Sequence, residues 1–454
     1  MKIFLLGLLV SLSSLAVTQD PIPDCMSTWD ENVSIQLYYK KIDRYRRDIL
    51  ARVIHASCNS VLRPGTQHFK TVASNATKIG EVVLDKFHQN TLFWIRRGSN
   101  YVLPIGYTAA KYVSEHPIQF YSTTLNRQLT EKYGNGFASE IYREWLLSRP
   151  ENKLARTEIK ASVREFLSKG PAFTSNEIRT RAQNTVLIVS MGLGWDESPE
   201  QPFYVKDFLK EIKAAGMETM ILKRDAMGTV PENIRALVPQ VNRIFLSGKQ
   251  VMLMGLCKGM PELFAATAEV FKANPAVKKR LRGVIGISPM MSGLYWADYQ
   301  RNHPAVELLH FLLAMIPGKK TQSGSEYLTA LQTMNSVEID ALYNDVRPQF
   351  PKDVPYVNLI GVIPDDGILK NDTTAMMPFI KANRMLNIGK GANDGFLEYP
   401  KSQISSAWGP KVFNIPLEGS HMITDGKFDE LDFRNSKNLL GLYYGILRFT
   451  LDQR

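Results

Sequence analysis

Cysteine is scarce in this chain, three in 454 residues, which excludes a fold stapled by several disulfides. No second long apolar run follows the short one at the amino terminus, and none reaches the eighteen residues of a bilayer span. No internal repeat and no extended low-complexity tract is present, so solenoids and fibrous architectures are also excluded. Histidine is rare, with seven in the whole chain, and this narrows any search for a general base. The formal charge of +11 is uneven. Residues 20–181 hold 24 Lys and Arg against 16 Asp and Glu, whereas 182–454 hold 30 against 28. The second segment is almost neutral, and no nucleic-acid motif accompanies the basic first segment, so nucleic acid is not expected as a partner.

What is present begins with Lys2, the apolar run Ile3 to Val10, and the Ser-rich stretch Ser11 to Ser14. Ser14 and Ala16 are spaced for cleavage after Ala16. Residues 1–16 therefore read as a signal peptide, and a secreted or periplasmic location is expected. In that oxidising compartment Cys25 and Cys58 could pair as a disulfide, leaving Cys257 as a thiol that needs an explanation.

Residues 17–181 read as a mostly helical basic region. Apolar residues recur at three- and four-residue steps from Ser34 to Ile54, and weaker helical patterns cover Lys78–Arg97, Gly136–Leu147 and Leu154–Leu167. Its cations predict a solvated face, with docking onto an anionic envelope surface as the functional alternative. From residue 182 to 454 the pattern becomes βα. Strands are expected at Val186–Ser190, Glu218–Leu222, Gln250–Met254, Gly283–Ile287, Tyr356–Val362 and Val412–Ile415. Helices are expected at Phe203–Ala215, Pro231–Phe245 and Lys437–Phe449. The fold class is α/β with a mostly parallel sheet. Residues 288–351 form an insertion with its own helices, including the apolar stretch Val306–Ile316.

The chemistry concentrates where the strand at Gln250 runs into Gly255-Leu256-Cys257-Lys258-Gly259, and Met260, Pro261 and Glu262 open a helix. A nucleophile held at such a sharp strand-to-helix bend needs small residues two places before and after it, and both glycines comply. On this motif and the order of elements, residues 182–454 resemble the α/β-hydrolase superfamily, with Cys257 where most members carry serine. Polyhydroxyalkanoate synthases and dienelactone hydrolases share that cysteine. The resemblance implies an acid and then a histidine later in the chain. Asp394, in Asn393-Asp394-Gly395-Phe396, is preferred as the acid over Asp365 or Asp366, which lie nearer a strand end. His421 follows the strand at Val412 and occupies the place of the base. The resemblance further implies an oxyanion hole from the backbone N–H groups of Lys258 and of Leu193, the latter in the loop Ser190-Met191-Gly192-Leu193-Gly194-Trp195.

The expected activity is cleavage or transfer of an acyl group from an ester or thioester through Cys257, with no cofactor and no metal. The helix start and a neighbouring imidazolium are expected to favour the thiolate. The insertion reads as a lid whose Leu308, Leu309, Phe311, Leu312 and Ile316 would line a pocket for a lipid-like chain. The alternative is a non-catalytic exported binding protein that keeps the fold and an inert thiol.

Overall fold

The computed structural model describes residues 108–193, 203–295, 297–298, 329–363, 391–423 and 426–453. The signal peptide, Cys25, Cys58, Asp365, Asp366 and the apolar stretch Val306–Ile316 lie outside the described residues, as do the helical patterns at Ser34–Ile54 and Lys78–Arg97.

An eight-stranded sheet organises the chain. Its strands are β1 (Thr185–Ser190), β2 (Glu218–Ile221), β3 (Gln250–Leu256), β4 (Leu281–Ile287), β5 (Tyr356–Val362), β6 (Val412–Glu418), β7 (Lys427–Phe428) and β8 (Leu431–Asp432), in spatial order β2-β1-β3-β4-β5-β6-β7-β8. The pairs from β2 through β6 are parallel; the two short strands at the far edge are antiparallel. The expected α/β class therefore holds, and among the described strands the sequence reading omitted the two-residue edge pair. Each is too short for a periodic pattern.

Side chains of β1 alternate between two cores. Leu187 and Val189 face one layer and Val186 and Ile188 the other, as a two-residue period requires. All six β1 residues are buried, which fits a central parallel strand covered on both faces. The first layer is built from α3 (Pro150–Arg181), α4 (Phe203–Ala214) and the closing helix α8 (Ser436–Asp452). The second comes from α5 (Val230–Leu246), α6 (Gly259–Ala273) and α7 (Ser336–Val346). Two further helices, α1 (Ala109–Glu115) and α2 (Thr123–Ser148), pack a smaller apolar cluster against the end of β5 and the segment at Ala392–Tyr399.

Packing continues across the change of pattern near residue 182. Ile159 and Val163 of α3 share the core of Leu442, Tyr443 and Ile446 of α8. Both long amino-terminal helices are interrupted at glycines with positive φ, Gly134 at 88° and Gly170 at 76°, a conformation that glycine adopts without penalty.

β1 pairs with β2 on one side and β3 on the other, so chain order reverses there. Ser190 is paired with Gly255 at the carboxyl ends of β1 and β3, which brings the segment after β1 beside the bend containing Cys257.

Candidate functional site

Cys257 stands between β3 and α6 with φ of 47°, a left-handed conformation that a side-chain-bearing residue adopts only at a cost. The bend is held from several sides. Its N–H donates to Ile287 O at 3.2 Å, and its carbonyl accepts from the N–H groups of Met260 and Met290, each at 3.1 Å. The glycines expected at the bend are explained by what surrounds them. A Cβ on Gly255 would press on Met260, and one on Gly259 would collide with the Ser190 and Met191 carbonyl oxygens. A Cβ on Gly192 would lie 3.4 Å from the Cβ of Cys257, so the loop after β1 sits directly against the nucleophile candidate.

Asp394 and His421 meet at 2.7 Å, carboxylate Oδ2 to ring Nδ1. Asp394 is fully buried and its other oxygen accepts from the N–H groups of Phe396 (2.9 Å) and Leu397 (2.7 Å). The Asp-Gly pair is thus a turn in which the carboxylate organises its own loop, with Gly395 at φ of 99°. The His421 backbone N–H donates to the Asp394 carbonyl at 2.8 Å, a second tie between the two segments. Phe396 packs its ring 5.0 Å from the imidazole.

The electrostatics of the ring follow from these neighbours. Burial disfavours the imidazolium, but the Asp394 carboxylate and then the Cys257 sulfur more than offset it and push the pKa up to about 10. Nε2 is buried and makes no hydrogen bond with any described nitrogen or oxygen atom. That nitrogen is therefore the one left for the thiol and for an incoming group.

Of the residues expected to supply oxyanion donors, Lys258 follows Cys257 directly, and Leu193 follows Gly192, which lies against Cys257. Lys258 is the cap residue of α6, and amides at a helix start have no acceptor within the helix. Leu193 is partly buried beside the second core layer. Sequence reasoning did not anticipate the side chain of Lys258, which is fully buried and donates to Glu262 Oε1 at 2.8 Å. It also missed Arg224, whose guanidinium approaches Glu262 Oε2 at 3.4 Å and donates to the carbonyls of Met191 and Gly192. The Lys-x-x-x-Glu spacing on a helix was the only available signal for the first pair, and such pairs usually face solvent.

The insertion begins over the bend, since Met290 is tied to Cys257 and Tyr343 of α7 donates to the Met290 carbonyl at 2.8 Å. Its two roots are joined by Asp298, which accepts from the Ser336 N–H at 2.7 Å, and by Lys401, which donates to Ser336 Oγ at 2.6 Å.

No protein-family model and no curated protein matches the chain. Among solved structures it is similar to the mature form of lipase BlEst2 from Bacillus licheniformis, with 16% identity over 52% of this chain and 84% of that one and a TM-score of 0.36. It is similar to the metagenomic carboxyl esterase MGS0156, with 13% identity over 60% of this chain and 76% of that one and a TM-score of 0.40. Phospholipase PlaB from Legionella pneumophila in complex with thio-NAD shares 13% identity over 48% of this chain and 44% of its own, with a TM-score of 0.32.

Proposed function

We propose that the chain is an exported thiol-dependent enzyme that cleaves, or transfers the acyl group of, an ester or thioester. The observation that carries this reading is a histidine whose Nδ1 is held by a buried carboxylate and whose charge is felt by a neighbouring cysteine strained at a strand-to-helix bend. The raised pKa of His421, owed first to Asp394 and then to Cys257 against burial, supports a ring able to hold the proton taken from the thiol.

In this mechanism the Cys257 thiolate attacks the substrate carbonyl carbon. The C–S bond forms, and the carbonyl π electrons move onto oxygen, which receives hydrogen bonds from the Lys258 and Leu193 N–H groups. Collapse expels the alkoxide or thiolate as it takes the proton from His421 Nε2, leaving a thioester on Cys257. The neutral ring then removes a proton from water or an acceptor alcohol. The new oxygen–carbon bond expels Cys257 as thiolate, and the imidazolium is restored. Asp394 stays ionised throughout and holds the ring in the tautomer that presents Nε2. The apolar composition of residues 306–316 suits a lipid-like acyl chain as substrate.

Acyl esters of graded chain length, offered to wild type, Cys257→Ala and Cys257→Ser, test the reading. Wild type is expected to turn over at least one ester with a thioester intermediate trapped at Cys257, and the alanine variant to lose on the order of 1000-fold or more in kcat. Equal rates in wild type and alanine variant would remove Cys257 from the chemistry. No turnover by wild type would leave the binding-protein alternative.

A further inference from the structure

A buried cluster of charge lies beneath the bend and takes no part in the proton transfers above. The Arg224 side chain is 2% exposed, and those of Lys258 and Glu262 are 0% exposed. Glu262 Oε1 accepts from Lys258 Nζ at 2.8 Å and from Asn233 Nδ2 at 2.8 Å, while Oε2 faces Arg224 Nε. Asn233 is itself fixed to the Asp225 backbone at both ends of its amide, so the strand-to-helix segment carrying Arg224 is held in place. Arg224 Nε and Glu262 Oε2 make no hydrogen bond, so the carboxylate holds the guanidinium by charge at 3.4 Å, while Nη1 donates to the Asp225 carbonyl at 3.1 Å and leaves Nη2 with a set direction. Here that direction is the backbone of the loop after β1, at Met191 and Gly192.

A trans peptide is planar, with its C=O and N–H pointing opposite ways, and the described residues contain no cis bond. The Gly192 carbonyl and the Leu193 N–H belong to one such plane. Pulling the carbonyl toward Arg224 aims the Leu193 N–H away from it, and Gly192 lies against Cys257. We propose that Arg224, anchored by Glu262, is a positioning residue that sets the Leu193 N–H as the second oxyanion donor and ties its loop to the helix that begins at the nucleophile. Lys258 links the two donors mechanically: its own N–H is the first donor, and its side chain is bound to the same carboxylate. The inference rests on the acyl-transfer reading and assigns the preorganisation of its oxyanion hole to one ion cluster.

The test compares two reactions of the same thiol in the full chain. Ester turnover develops an oxyanion; alkylation by iodoacetamide, in which sulfur displaces iodide, does not. Arg224→Lys keeps a charge near Glu262, but one ammonium cannot face that carboxylate, the Asp225 carbonyl and the two loop carbonyls together, as the three guanidinium nitrogens do. Its expected kcat on the best ester falls on the order of 100-fold, the scale for a displaced catalytic group, with KM little changed. The rate and pH profile of Cys257 alkylation stay at wild-type values. Unchanged kcat would overturn the proposal, and so would a parallel fall in alkylation, because Arg224 would then support the bend as a whole. Wild type that alkylates but turns over no ester defeats the acyl-transfer reading instead, and this inference with it. If Arg224→Lys does not fold, Arg224→Gln, which leaves the Lys258–Glu262 pair in place, serves the same comparison. Recovery of neither variant as folded protein makes Arg224 a folding residue and overturns the assignment.

Discussion

At the scale of single residues, the arrangement rests on an ionised ring in a buried place. The His421 pKa is raised from 6.5 to about 10, burial opposing and Asp394 and Cys257 prevailing. A group whose folded pKa is raised contributes stability fully below its unfolded pKa and loses it as pH climbs through the folded one. The contribution of this ring is therefore complete below about pH 6.5 and gone above about pH 10. Wild-type Tm is expected to fall across that window, and Asp394→Asn, which removes the largest upward influence, to flatten the fall. Melts at matched pH values check this; equal slopes would separate Asp394 from the electrostatics of the ring. Steric demands at the bend give a second expectation. Gly259→Ala places a methyl against the Ser190 and Met191 carbonyl oxygens, so it should destabilise by about 1–3 kcal/mol in denaturant titration and reduce turnover as β1 and α6 separate.

Between elements, α2 and the acid-bearing loop are joined by buried polar contacts. Asn126 Nδ2 donates to the Ala392 carbonyl at 2.9 Å, and Thr130 Oγ1 accepts from the Ala392 N–H at 2.8 Å. Tyr142 stacks on Tyr399 with ring centroids 4.9 Å apart. Asp394 is two residues from Ala392, so α2 bears on the orientation of the carboxylate. Thr130→Val, which leaves a buried N–H without its acceptor, is expected to cost about 1–3 kcal/mol of stability and to lower kcat more than it raises KM. A change confined to stability would make the contact structural only. This link was invisible in the sequence because its partners are 262 residues apart, and Thr130 reads as an ordinary helix position. What was legible was local. The strand at Tyr356–Val362 matches its expected limits, and the bend at Gly255–Gly259 announces itself because strain confines the residues that can flank it. Strand ends drifted by one to three residues, as at β6, which runs to Glu418 where Ile415 was expected. Pairing to a neighbouring strand sets an end, and no neighbour is visible in a one-dimensional pattern. The meeting of Asp394 with His421 was expected from the resemblance to the α/β-hydrolase superfamily; the Arg224–Glu262 pair had no such guide, since two charges 38 positions apart look like separate surface residues.

For the whole molecule, the basic character of the amino-terminal segment proves to be partly internal. Arg156, Lys160 and Arg164 along α3 pair with Asp429 and Glu430 of the turn between β7 and β8, and Arg181 pairs with Asp452 of α8. Exposed pairs of this kind contribute little individually, so the union of α3 with the sheet must come from apolar contact. That contact is close. Gly441 and Gly445, one helical turn apart on α8, lie against Val163 and Ile159, and a Cβ at Gly445 would come within 2.9 Å of the Ile159 carbonyl oxygen. Small residues at this spacing let two helix backbones approach, and the core gained joins the helical segment to the sheet that carries Cys257. The expected consequence is one cooperative transition spanning both. Val163→Ala should destabilise by roughly 1–3 kcal/mol, and Gly445→Val by more, because it forces the helices apart. In each variant helical circular dichroism and Cys257 alkylation should report the same lowered midpoint. Two separated transitions, with α3 melting while the bend keeps its reactivity, would show that residues 150–181 are a detachable layer, and that the chemistry needs only the sheet and the helices that follow it.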